Sequence, residues 1–169
     1  GLILQALSAR LGSGSLAASG EVGTEALDLK ILAASLPLSL LSNFAPELQP
    51  SGALDFTGRL TGTPANVAIQ GKFMAVDGKA LQQPFTRALG TLEYRSGTVS
   101  LGDVEVRNGK GLHELSGTVQ LSGDRALDLR AKTRGARAED LVAWLAPGEP
   151  LTGNVENEVI LGGTLDSIE

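Results

Sequence analysis

Alternation of apolar and polar residues runs through most of this chain, and a period of two is the mark of a strand with one buried face. Over residues 52–62, Leu54, Phe56 and Leu60 fall on one side, while Asp55, Thr57, Arg59 and Thr61 fall on the other. Over 67–75, Val67, Ile69 and Phe73 oppose Ala68, Gln70 and Lys72. The same spacing joins Leu92 to Tyr94, Val99 to Leu101, Val104 to Val106, Leu115 to Val119 and Leu121, Leu127 to Leu129, and Val155 to Val159 and Leu161. Near the start, Leu16, Ala18 and Val22 share a face, as do Leu27, Leu29 and Ile31. Turn-forming clusters separate these runs: Gly12-Ser13-Gly14, Thr63-Pro64-Ala65-Asn66, Asp77-Gly78, Ser96-Gly97, Asn108-Gly109 and Ser122-Gly123-Asp124. Such turns favour consecutive antiparallel hairpins. No long helical pattern alternates with the strands, which argues against a parallel α/β sheet. The expected fold class is all-β, an antiparallel and repetitive sheet.

Two stretches break the alternation and read as short helices, residues 36–45 and 138–146. In the second, Glu139 and Asp140 suit the positive end of a helix, Leu141, Trp144 and Leu145 form an apolar stripe, and Pro147-Gly148 ends it. In the first, Leu40, Leu41 and Phe44 take the same part before Pro46. Helices this short need tertiary packing, so each is expected to cover an end or edge of the sheet, with Phe44 or Trp144 as anchor.

Several strands carry a glycine in the apolar register: Gly20, Gly58, Gly71 and Gly117. One reading is curvature, since glycine lets a strand bend. The other is room, since a missing side chain widens the apolar side for a guest.

The pattern also repeats. ALDLK at 26–30 recurs as ALDLR at 126–130, an offset of 126 − 26 = 100 residues. Pro46 and Pro147 are 147 − 46 = 101 apart, as are Gly62-Thr63 and Gly163-Thr164. Ser19-Gly20-Glu21-Val22 resembles Ser116-Gly117-Thr118-Val119 at 116 − 19 = 97. Landmarks in constant order describe a unit of roughly one hundred residues, present about one and a half times. The chain, residues 1–169, reads as one segment of a longer repeat array rather than as two domains.

Composition and motifs narrow the function. The net charge of −5 argues against nucleic acid and against electrostatic docking on an anionic membrane. There is no cysteine, hence no disulfide or thiolate metal site. The one histidine, His113, has no patterned partner and reads as a surface residue without a metal role. Asp55, Glu93, Glu156 and Glu158 read as solvated faces. No phosphate loop, nucleophile elbow or dinucleotide fingerprint is present, so neither enzymatic activity nor a cofactor is expected. Aromatic residues make up only 4% of the chain, so the apolar face is aliphatic.

The segments SGALDFTGRLTGTPAN (51–66) and TGNVENEVILGGTL (152–165), each preceded by a helix of LPLSLLSNFAP type and by G-x-V…ALDL strands, resemble the TamB translocation and assembly module family and the wider AsmA-like group. The second copy departs from the pattern, with Asn157 in an apolar slot and Asp166-Ser167 where a proline-bearing turn is common. The resemblance implies a U-shaped β-taco with an apolar interior and one short helix per repeat. It implies a periplasmic rod anchored in the inner membrane that carries phospholipid toward the outer membrane. Expected partners are acyl chains, the rest of the repeat array and an outer-membrane barrel assembly protein. Lining residues would be Leu54, Phe56, Leu60, Val67, Ile69, Phe73, Leu92, Tyr94, Val99, Leu101, Leu115, Val119, Leu121, Leu127, Leu129, Val155, Val159 and Leu161. The rival expectation is a structural β-scaffold or secreted β-solenoid adhesin whose apolar side is a filled core.

Overall fold

Each run of alternating residues becomes a strand, and each strand pairs with the next in sequence. The structure, a computed structural model, describes residues 2–43, 46, 49–80, 83–137, 154–164 and 167–168. The strands are β1 (Leu2–Leu11), β2 (Gly14–Val22), β3 (Leu27–Pro37), β4 (Ser51–Thr63), β5 (Asn66–Ala80), β6 (Gln83–Arg95), β7 (Thr98–Asn108), β8 (Gly111–Gln120), β9 (Leu127–Arg137) and β10 (Asn154–Leu161). They form one ten-stranded antiparallel sheet in chain order, open at β1 and at β10. A two-residue ladder joins β11 (Gly163–Thr164) to β12 (Ser167–Ile168), and a single bridge links Ala126 to Thr164.

Most hairpin connections are short, as the turn residues require; the exceptions are residues 38–50 between β3 and β4 and 138–153 between β9 and β10. Thr63 Oγ1 accepts from the Asn66 backbone N–H at 3.1 Å and closes the β4–β5 turn. Asp77-Gly78, expected as a turn, instead lies inside β5. Asp77 takes a left-handed φ of 49°, and the β4–β5 register shifts between Ser51 and Ala53 to absorb the extra residue, so this is a bulge. Ser35 (φ 51°) and Asp103 (φ 48°) mark two more, in β3 and β7. At the first, Asp55 Oδ1 accepts from the freed Ser35 N–H at 2.7 Å. Bulges change which face a residue meets without breaking the ladder.

The two copies of the ALDL segment sit in matching registers. Gly20, Glu21 and Val22 pair with Leu29, Asp28 and Leu27. Gly117, Thr118 and Val119 pair with Leu129, Asp128 and Leu127. Gly20 and Gly117 take φ 140° and 136°, and a β-carbon on either would lie 2.1 Å from the carbonyl oxygen of Asp28 or Asp128. Only glycine fits there, which explains its place in the apolar register by close backbone approach.

Between β3 and β4 runs a 3₁₀ helix, Leu38–Asn43; residues 36 and 37 belong to β3. Its anchor is Leu38, only 7% exposed, which packs with Ala75 and Ala88 against Leu54, Phe73, Phe85 and Val106. The expected stripe of Leu40 and Leu41 is exposed, because a 3₁₀ turn closes in three residues and does not stack i, i+3 and i+4 on one side. Phe44 lies outside the described residues, as does the stretch 138–146 with Leu141, Trp144 and Leu145.

Candidate functional site

Cross-strand pairing collects the alternating residues into rows on one face. One row runs Leu60–Ile69–Tyr94–Val99–Val119–Leu127 from β4 to β9. Beside it, Leu92 pairs with Leu101, and Leu129 with Gly117. Phe56 pairs with Phe73, and Leu115 lies between Val104 and Ala131, which in turn pairs with Val159. Val67 pairs with Gly62. Leu121 falls just beyond β8, its N–H donating to the Gly97 carbonyl at 2.7 Å. Val155 and Leu161 hold register positions opposite Ala136 and Leu129. The residues expected to share a lining thus fall in neighbouring rows, apart from Leu121.

No second layer packs on this face in the described part of the chain. Among the described residues no side chain is fully buried, and only Ala33, Leu38, Ala75, Ala88, Val104 and Leu127 are buried among the apolar ones. The remaining rows are half-covered by their own neighbours. The glycines at 58 and 71, which face each other across β4 and β5, do not leave an empty slot: the Phe56 ring lies over both, and a β-carbon at Gly71 would meet Phe56 Cζ at 2.6 Å. Gly78 is covered by Phe85 in the same way.

The opposite face is charged. Arg59 donates two hydrogen bonds to the Asp28 carboxylate, and they hold that carboxyl below its usual range. Arg134 pairs with Glu114 at 3.4 Å, and Glu158 lies between Arg130 at 3.6 Å and Lys132 at 3.9 Å. Such exposed pairs each contribute little to stability, and here they define the solvated side. A concavity of about 860 Å³ borders Lys30, Thr57, Arg59, Gln70, Lys72 and Glu93 of this side. Of the expected lining positions, Leu92 and Leu101 border it.

One cluster was not foreseen. His113 is half-buried on the apolar face, not on the solvated one, because Val106 and Thr133 are its partners on β7 and β9. Its Nδ1 lies 2.9 Å from Thr133 Oγ1, and burial lowers its pKa. Thr133 is 6% exposed, and Asn157 pairs with it from β10. The side-chain oxygen of Asn157 is buried and has no hydrogen-bond partner among the described residues. Each member is a polar residue in an apolar slot of its strand: His113 shares the period of Leu115 and Val119, Thr133 that of Leu127 and Leu129, and Asn157 that of Val159 and Leu161. Among the described residues, no three His, Asp or Glu side chains converge as metal ligands, and no helix is long and apolar enough to cross a membrane. Comparison with protein-family models, curated proteins and solved structures finds no match.

Proposed function

We propose that this chain is a segment of a hydrophobic groove that conducts phospholipid across the periplasm, in a TamB-like protein anchored in the inner membrane and serving outer-membrane biogenesis. The observation that carries the reading is an apolar face running from β3 to β10 on which, among the described residues, only Leu38 of the 3₁₀ helix packs. A sheet face of this kind is normally covered, because exposed apolar area is costly in water. Acyl chains are the cover proposed here, held in a trough made by bending the sheet into a U, the β-taco, with one short helix per repeat. The two open edges, β1 and β10, suit continuation into further repeats.

The energetics suit a conduit. A phospholipid carries on the order of thirty chain methylenes, each costing about 0.8 kcal/mol to expose. Crossing water unaided would cost roughly 20 kcal/mol or more. A continuous aliphatic face removes most of that barrier, and without strong polar anchors a chain can slide. An outer-membrane barrel assembly protein is the proposed partner at the far end. Two observations favour the rival reading, a structural β-scaffold or adhesin with a filled core: the Phe56 ring already occupies the space over Gly58 and Gly71, and the concavity of about 860 Å³ lies on the charged face.

The test is photocrosslinking in the intact protein from a probe placed at Val99, in the row outside the Leu38 core, with a second probe at Thr57 on the solvated face. Lipid captured at position 99 and not at 57 supports the groove, and Val99→Asp should then abolish transport while the protein still accumulates. Equal silence at both positions, with the protein folded, overturns the groove in favour of the filled core.

A further inference from the structure

The hundred-residue repeat of the sequence recurs in the backbone, irregularities included. In β1–β2, Leu2 pairs with Val22 and Leu4 with Gly20, a register shift follows, and Leu7 pairs with Ala18. In β7–β8, Val99 pairs with Val119 and Leu101 with Gly117, a shift follows, and Val104 pairs with Leu115. The bulge falls at the same step, and 99 − 2, 101 − 4 and 104 − 7 all equal 97. The ladders β3–β4 and β9–β10 match in the same way: Leu29–Leu60 answers Leu129–Leu161, Ala33–Phe56 answers Thr133–Asn157, and each ladder shifts next. Strand β1 therefore holds the place of β7, and β10 the place of β4, in a unit of six strands. We infer that the free edge of β1 is a docking edge for one antiparallel strand that bears the residue pattern of β6, contributed by a further unit of this kind.

Matching positions in the two copies show what the edge lacks. Val104, with β6 against its outer side, is 5% exposed. Leu7, at the same step of the ladder with no strand outside it among the described residues, is 58% exposed. Leu2 faces a valine across the ladder as Val99 does, yet it is 65% exposed where Val99 is half-buried. Edges that stay free are usually blunted by charges, prolines or shortness. Strand β1 runs ten residues, LILQALSARL, with no proline and one charge, Arg10. The β6–β7 ladder specifies the occupant. Leu92 pairs with Leu101 and Tyr94 with Val99, so the incoming strand sets apolar residues opposite Leu4 and Leu2. A β-carbon at Gly90 would lie 2.7 Å from Val104 Cγ2, so the strand needs a glycine against Leu7. Strand β10 of a second copy is the wrong partner. It stands in the place of β4, and two strands, β5 and β6, separate β4 from β7. The inference concerns the edge alone and holds whether acyl chains or a filled core cover the apolar face.

The full chain is titrated with a labelled synthetic peptide of the β6 sequence, Gln83–Arg95, and binding is read by fluorescence anisotropy. Saturable binding is expected, and a peptide of the β10 sequence, Asn154–Leu161, should not bind. A Gly90→Val peptide should bind about tenfold more weakly or worse, since its side chain meets Leu7. The chain has no cysteine, so introduced thiols report the register. With diamide as oxidant, Leu4→Cys in the chain should form a disulfide with a peptide carrying Leu92→Cys and not with one carrying Tyr94→Cys, which stands one step along the same face. Position 4 lies on the free edge, and an unchanged circular dichroism spectrum checks that the variant folds. Three results overturn the inference: no binding of the β6 peptide by the folded chain, equal binding of the Gly90→Val peptide, or a disulfide at position 94 in place of 92. A dimer of the chain through β1 that the peptide does not dissociate, seen by sedimentation, overturns it as well. None of these results touches lipid capture at Val99, so the edge and the groove fail separately.

Discussion

The row of paired residues Leu36–Leu54–Ala75–Ala88–Val106–His113–Thr133–Asn157, which crosses the apolar face, has two halves that share one backbone register and differ in everything else. In the first, Leu54, Ala75, Ala88 and Val106 are small or aliphatic, and Leu38 of the 3₁₀ helix closes over them. In the second, His113, Thr133 and Asn157 are polar, and that helix does not reach them. The backbone ladder does not distinguish the two, since both are plain antiparallel pairs. Side-chain identity alone makes one end of the face a small apolar core and the other a polar cluster, in which Thr133 is 6% exposed and the Asn157 oxygen is buried. The sheet is therefore a uniform frame on which an apolar region and a polar one lie side by side.

The largest effect expected from disturbing this contrast lies in the filled half. A β-carbon at Gly71 would lie 2.4 Å from the Thr57 carbonyl oxygen and 2.6 Å from Phe56 Cζ, and the backbone cannot retreat without breaking the ladder. Gly71→Val should cost about 3 kcal/mol or more, read as a lower urea midpoint. Adding Phe56→Ala should recover part of the loss, since the ring contact is relieved and the carbonyl contact remains. A Gly71→Val protein as stable as the parent would mean that the Phe56 ring does not fill this half, and the contrast would disappear. Next in size is Leu38→Ala, which removes the cover and leaves a hole over Ala75 and Ala88; about 2 kcal/mol is expected. Leu40→Ala, at an exposed position two residues on, should stay within about 0.5 kcal/mol. Similar losses at positions 38 and 40 would show that the helix does not anchor through Leu38.

Much of the frame is legible in the alternation. The partners of Leu60, Phe56 and Val99 all come from runs whose apolar side is plain in the sequence, and hairpin order follows from the turn clusters. What escapes is whatever depends on bulges. Asp77-Gly78 looks like a turn because those residues adopt left-handed backbone readily, and a bulge makes the same demand. Leu38 rather than Leu40 or Leu41 is the anchor because helix type decides the facing side, and composition does not reveal it. His113 reads as a surface residue when judged by its residue type alone, yet period two already sets it on the side of Leu115 and Val119, as it sets Thr133 on the side of Leu127 and Leu129. Its pairing with Thr133, and that of Thr133 with Asn157, lies in unbroken stretches of the β8–β9 and β9–β10 ladders. Which residues of different strands meet is set by the hairpin registers, and alternation within one strand does not contain them.

A further effect, confined to the polar half, is a dependence on pH. Burial lowers the His113 pKa from its ordinary value near 6.5. As pH falls through that value, the unfolded chain takes up a proton that the folded chain resists. The unfolded state then binds more protons, so stability declines as pH falls, until the folded imidazole is itself protonated at its lower pKa. Above about 6.5 neither state is protonated and the contribution is constant. Because the ring keeps part of its contact with water, the loss should be smaller than for either substitution in the covered half. His113→Gln retains a polar partner for Thr133 but cannot titrate in this range. Comparing urea midpoints at pH 7.5 and 5 for parent and variant cancels the carboxylates common to both. The parent should lose more on acidification, and NMR titration of its one histidine should give a midpoint below 6.5. A midpoint at or above that value would place His113 in water, and the polar half would then contain no desolvated row to set against the apolar one.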